Sequence, residues 1–222
     1  MISTGNDIVS LNAINITRTN DPRFYSKILS TPESKLYNKQ VTATIPFENF
    51  VWLLWSIKES AYKYLQRLTP DLLFTPVKFE VIQFQTPNAY QPIGFDANQL
   101  TGVGFEGLSA FKAVITFGAD TLYACSIIYN ELICTVVHTN EDFSNTHWGI
   151  KFIEDEEYSN QSSAVREFLI ENLQKISGFD KVAFSKDQHN IPVIITGNSK
   201  TFPVSLSHHE HFIAYSFQYS SI

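Results

Sequence analysis

Laid without gaps over residues 204–219 (VSLSHHEHFIAYSFQY), residues 114–129 (VITFGADTLYACSIIY) agree at Val114/Val204, Ala124/Ala214, Ser126/Ser216 and Tyr129/Tyr219. Each copy is an alternating apolar run, a polar corner and a second β-rich run, the pattern of a hairpin with one buried face. One helix precedes each copy. Phe50, Leu53, Leu54, Ile57, Ala61, Tyr64, Leu65 and Leu68 recur at helical spacing before Pro70, and Val165, Phe168, Leu169, Leu173 and Ile176 do so before Gly178. A β-rich segment follows each helix, at 77–84 and at 181–184, the latter continuing past a turn into 192–195. The sequence predicts an α+β fold with a pseudo-twofold duplication, each half a helix packed on an antiparallel sheet. The halves are 1–130 and 131–222. The link near Asn130 is short and has no Gly, Pro or Ser character, which predicts that the halves pack as one body.

Composition narrows the function. Of 222 residues 44% are hydrophobic, ample for a core, and the net charge of -6 provides no global basic field for nucleic acid or anionic lipid. Cys125 and Cys134 make neither a disulfide framework nor a metal motif and read as buried apolar residues. The first residues lack a basic flank with a long apolar run, and no stretch approaches the roughly 18 apolar residues of a membrane span. A cytoplasmic location is expected.

Three patterns carry chemistry. The first is Gly5-Asn6-Asp7-Ile8-Val9, an acid in a short β-like run beside a glycine; alone it reads as a turn cap. The second, Trp55 to Lys63 (WSIKESAYK), places Glu59 and Lys63 four apart on one helix face; alone it reads as a surface ion pair. The third is Ser205-Leu206-Ser207-His208 at the polar corner of the second hairpin. In the gapless overlay its histidine falls on Gly118, so an imidazole stands in only one of the two corners. His208, His209 and His211 with Glu210 invite a zinc reading, which diverging side chains in a turn disfavour. No phosphate-binding glycine loop and no G-x-S-x-G elbow occurs. Trp52, Trp55 and Trp148 read as core anchors.

Together GNDIV, WSIKESAYK and SLSH resemble the 4'-phosphopantetheinyl transferase superfamily, whose members carry a G-x-D-I-[VE] strand, a [WF]-x-x-K-E-[AS]-x-x-K helix and an S-[IL]-S-H hairpin. The resemblance spans the chain except 86–110. The small holo-acyl-carrier-protein synthases run the three motifs in about half this length and assemble as trimers. The larger surfactin-type transferases fuse two units with the histidine half first. This chain resembles a fused pseudodimer in the other order, with the site in the cleft between halves and a monomer sufficient.

The resemblance implies Mg2+-dependent transfer of the phosphopantetheine arm of coenzyme A to a serine of an apo acyl or peptidyl carrier protein, releasing 3',5'-ADP. It makes Asp7 and Glu59 the metal ligands, Glu59 also a candidate acceptor of the serine proton, and Lys63 the lysine facing the bridging phosphate. His208 and Ser207 become the corner for the nucleotide 3'-phosphate, with Lys58 a further cleft candidate. Val9 stands where larger members often place a second acid. Asn190-Ile191-Pro192 replaces a G-K-P with a phosphate-contacting lysine, for which Lys186 and Lys200 are the candidates without the sequence showing either in that role, and Leu65, Gln66 and Arg67 replace the glycines that often follow the helix. These departures keep a second reading open, a catalytically degenerate module that binds coenzyme A or a carrier protein. Between 17 and 40, Arg18, Arg23, Lys27, Lys35 and Lys39 against Asp21 and Glu33 form a candidate docking surface for an acidic carrier or an ordinary solvated connection.

Overall fold

Apolar alternation becomes strand and 3.6-residue periodicity becomes helix in a computed structural model that describes residues 3–91, 94–155, 157–176, 179, 181–197 and 199–219. The chain opens with β1 (Gly5–Ser10). Four one-turn helices follow, α1 (Ile16–Thr19), α2 (Pro22–Tyr25), α3 (Thr31–Ser34) and α4 (Lys39–Thr42), and then the long α5 (Phe47–Gln66). Next come β2 (Glu80–Gln85), β3 (Gln99–Val103), β4 (Phe111–Phe117), β5 (Asp120–Ile128), β6 (Leu132–His138) and β7 (Thr146–Phe152). The chain finishes with α6 (Tyr158–Leu173), β8 (Val182–Lys186), β9 (Pro192–Thr196), β10 (Thr201–Pro203), β11 (Ser205–His209) and β12 (Phe212–Gln218).

Three antiparallel sheets result, ordered β1-β6-β5-β4-β2, β11-β12-β7-β3 and β10-β9-β8. The α+β class expected from the sequence is the class observed. Helix α5 lays Phe50, Leu53, Leu54, Ile57 and Ala61 onto Val9, Ile115, Ile133 and Val137 of the first sheet. On the other face of that sheet, Ile8, Cys134 and Val136 meet Trp148, Ile150, Phe212 and Ala214 of the second. Helix α6 then covers the outer face of the second sheet with Val165, Phe168 and Leu169 against Ile213, Tyr215 and Phe217. The layers are therefore helix, sheet, sheet, helix. Strand β6 lies between α5 and the second sheet and is buried along all its length, which is why five of its seven residues are apolar on both faces, with Thr135 and His138 as buried polar exceptions. Both cysteines are buried and unbridged, as expected.

Strands from both sides of residue 130 share sheets. Strand β6 sits between β1 and β5 in the first sheet, and β3, from the stretch 86–110 that matched no motif, forms the edge of the second through β7.

Several local expectations need correcting. Helix α5 ends at Gln66, and Leu68, placed on its apolar stripe, is 67% exposed because it lies past the last turn. Helix α6 ends at Leu173; Gly178, expected to stop it, lies outside the described residues. The gapless overlay of the hairpins is out by two residues. Hairpin β4-β5 closes from Phe117 to Asp120 around Gly118 at φ 59°, whereas β11-β12 closes from His209 to Phe212 around Glu210 at φ 52°. With the two turns aligned, Gly118 falls on Glu210 and His208 falls on Thr116. A slip of two keeps every side chain on its own face, so the apolar pattern did not expose it.

Candidate active site

The glycine of the first motif sets how closely β1 and α5 approach. A Cβ at Gly5 would lie 1.9 Å from the Ser60 carbonyl oxygen and 2.8 Å from the Tyr64 amide nitrogen. Only a residue without a side chain lets the helix backbone rest on the strand here. Two residues along β1, on the same face, Asp7 is thereby carried against the helix. Gly5→Ala is expected to push α5 off β1, at a cost of about 1–3 kcal/mol from overpacking. Chemical denaturation measures it, and an unchanged midpoint would show that the helix can shift freely.

Asp7 is 5% exposed and Oδ1 accepts a hydrogen bond of 3.0 Å from Lys63 Nζ, which also pairs with Glu59 Oε1 at 3.3 Å. Its second oxygen, Oδ2, is buried without a hydrogen-bond partner among the described residues. Burial drives the Asp7 carboxyl up to about 6, and the Glu59 charge adds to this against the opposing pull of Lys63. For Lys63, burial acts to lower the pKa, but the charges of Asp7 and Glu59 outweigh it and hold the ammonium above its ordinary value. The three side chains form one cluster in which two carboxylates share one cation. It is partly open to solvent on the helix side, where Lys63 and Glu59 have side-chain exposures of 25% and 27%.

Strand β11 forms the other wall. Its inward residues satisfy the outer edge of β1 with side chains. Ser205 Oγ accepts from the Asn6 amide at 2.8 Å, Ser207 Oγ from Asn6 Nδ2 at 2.8 Å, and His209 Nδ1 from the Ser10 amide at 3.0 Å. Strand alternation turns His208 the other way, where its ring meets Tyr158 of α6 edge-on at 4.9 Å. Burial lowers the pKa of His208, and the positive charges of Lys63 and His209 lower it further. Lys63 and His208 therefore share one electrostatic neighbourhood across the cleft.

The structure thus brings Asp7, Glu59 and Lys63 together, leaves His208 on the α6-facing side of β11, and treats the other expected residues differently. Ser207 is 3% exposed and engaged with Asn6, so it joins the two sheets. Lys58, expected to bind the cofactor, needs correction: its side chain has zero exposure, and Nζ donates to Glu33 Oε2 and to the Ile28 carbonyl, each at 2.6 Å. One residue along a helix is a turn of about 100°, so Lys58 points away from the face that carries Glu59. Sequence reasoning missed Asn6, Tyr158 and Arg67. Asn6 lay within the quoted motif, and its alternation with Asp7 signals that it faces the other wall.

Magnesium, which the resemblance implies, needs only oxygen donors and keeps several waters. Asp7 and Glu59 supply two carboxylates already gathered round a cation, with Asp7 Oδ2 unpartnered, so the residues present fit such an ion. Histidines 209 and 211 are turned to other partners, the Ser10 amide and the Ile153 carbonyl. No group of three or more His, Cys, Asp or Glu suited to a metal occurs among the described residues.

A buried acid on a strand and an acid-lysine pair on the helix above it lie beside a histidine-bearing strand. Residues 3–106 match the model of the ACPS family, the 4'-phosphopantetheinyl transferase superfamily. The family resemblance carried by the motifs is thereby shown over a segment that includes Asp7, Glu59 and Lys63, and the match supports a transferase of phosphopantetheine in general. That family has coenzyme A and a carrier protein as its partners. No curated protein and no solved structure matches the chain. Among the described residues no helix is long and apolar enough to cross a membrane.

Proposed function

We propose that the chain transfers 4'-phosphopantetheine from coenzyme A to a serine of an apo carrier protein, in a magnesium-dependent reaction that releases 3',5'-ADP. The observation that carries this reading is the Asp7-Lys63-Glu59 cluster, with distances of 3.0 and 3.3 Å inside it, beside β11, the strand that carries His208. The serine oxygen attacks the phosphorus that bears the pantetheine arm. The phosphoanhydride bond to 3',5'-ADP breaks, and the serine proton passes to Glu59, directly or through water. Lys63 meets charge developing on the bridging oxygen. A magnesium ion held by Asp7 and Glu59 would neutralise the pyrophosphate. His208 meets the 3'-phosphate, and a dianion there would favour its protonated form against the burial that disfavours it.

The same proposal includes a monomer acting in the cytoplasm, with β1 and α5 of the half 1–130 on one side of the cleft and β11 of the half 131–222 on the other, and a carrier docked on the helices before α5. There Arg18, Arg23, Lys27, Lys35 and Lys39 are all exposed. Of the two acids counted against them, Asp21 is paired with Arg23 and Glu33 is buried against Lys58. The surface is therefore more basic than the sequence count suggests, as an acidic partner requires.

Intact mass of an apo carrier protein incubated with the chain, coenzyme A and magnesium tests the proposal. The expected result is a gain of one phosphopantetheine that disappears without metal. No gain across several carrier types with folded protein would favour the non-catalytic binding module instead.

A further inference from the structure

The last turn of α5 and the residue after it carry a group that the proposed chemistry does not use. Glu59, Lys63 and Arg67 recur at intervals of four and so form one stripe along the helix. That stripe looks onto β11. The charge of Glu59 acts on His209 and that of Lys63 on His208, while Arg67 spans the gap physically. Its Nη2 donates to the carbonyl of Val204, the residue before β11, and its Nη1 donates to the carbonyl of Pro192, where β9 begins, at 3.5 Å. Nε is buried and has no partner among the described residues.

We infer that Arg67 is a positioning residue: its donations to Val204 and Pro192 set the width of the cleft between α5 and β11, and hence the distance from Lys63 to His208. Hydrogen bonds from an ionised donor are roughly twice as strong as neutral ones, and the planar fork can span two carbonyls that a lysine would meet one at a time. Burial lowers the guanidinium pKa to about 10, with Asp187 opposing, so Arg67 remains a cation at neutral pH. It acts from one helical turn beyond Lys63, on the strand that carries His208. The catalytic consequence rests on the proposed function, whereas the geometric one does not.

Two readouts test it on Arg67→Met and Arg67→Lys in the full chain. In steady-state transfer, Arg67→Met is expected to raise the KM for coenzyme A by about 10-fold to 100-fold with a smaller change in kcat, since displacement of a binding wall by an ångström has effects of this size. Arg67→Lys, which keeps the charge and one donation, is expected to recover part of the loss. In NMR titration of the His208 ring, Arg67→Met is expected to move its pKa up toward the ordinary value as Lys63 recedes. A folded Arg67→Met protein with unchanged KM and an unmoved His208 titration would overturn the inference. If Arg67→Met does not fold, the same shifts, smaller, are required of Arg67→Lys, and their absence overturns it. A wild-type chain that transfers nothing would refute the proposed function, while the His208 titration would still decide whether Arg67 is the clasp.

Discussion

Glu33→Ala is expected to destabilise the fold by about 3–5 kcal/mol, a large part of the about 5–15 kcal/mol of a typical domain. The reason is the number of groups that one carboxylate satisfies. Glu33 Oε2 accepts from Lys58 Nζ at 2.6 Å and from the Ser30 amide at 2.7 Å, and Oε1 accepts from the Val81 amide at 2.8 Å. Both charged side chains have zero exposure. Removing the acid leaves an ammonium in the core, where burial already lowers the Lys58 pKa against the pull of Glu33. It also strips two amides and breaks the capping box that starts α3. Lys58→Met should cost less, because the methionine stem fills the volume and Glu33 keeps its two amides. Urea denaturation of both variants gives the order. A cost under about 1 kcal/mol for Glu33→Ala would mean that Lys58 escapes to water, contrary to a buried pair. Folded Lys58→Met protein should keep its KM for coenzyme A, which separates a structural lysine from the cleft residue suggested by its place in the motif.

That pair also shows why part of the site was hidden. In the string WSIKESAYK, Lys58 and Glu59 are neighbours, but a helix sends them to different faces, and Glu33, the partner of Lys58, lies in a stretch that reads as a connection. The residues on the Lys63 face were legible, because the four-residue spacing of Glu59 and Lys63 and the strand alternation around Asp7 each fix a direction. So were the two long helices and the hairpins, whose apolar periodicity survives errors of register. What the sequence hid depends on long-range contact. The β3 strand at the sheet edge is only partly covered, with burial alternating between exposed and half-buried, so no apolar run announces it. Arg67 and Tyr158 touch partners more than a hundred and about fifty positions away, and nothing local marks such pairings. The hairpin overlay failed for a related reason: identities at matching parity can align two similar hairpins whose turns are offset.

Asp7→Asn is expected to abolish transfer, by about 100-fold or more, while making the protein more stable at neutral pH. On the proposed function, the loss follows from removing one of the two carboxylates that would hold the metal. The gain follows from the cost of ionising Asp7 in the fold. Its carboxyl has a pKa of about 6 when folded against 3.8 when free. The folded state therefore takes up the proton first as the pH falls, so the cost is fully present above pH 6 and disappears on acidification toward 3.8. An upper bound on that cost is about 3 kcal/mol, and asparagine, which cannot ionise, should recover about 1–2 kcal/mol of it at pH 7.5. His138 works in the opposite direction. It has zero exposure, and burial lowers its pKa to about 4. The unfolded chain takes up that proton first below its ordinary value of about 6.5, so stability is lost as the pH falls from there toward 4. In the wild type the Asp7 effect opposes that of His138 between pH 6 and 4, and His147, His208 and His209, whose pKa values burial also lowers, act in the same direction as His138. Asp7→Asn removes the opposing effect, so its stability should fall more steeply on acidification than that of the wild type, and its advantage should shrink toward pH 4.5. Guanidinium denaturation of both proteins at pH 7.5 and 4.5 measures the difference. Parallel pH profiles would show that Asp7 ionises like an ordinary surface carboxylate, and the site would then lack the destabilised acid that a cation is expected to relieve.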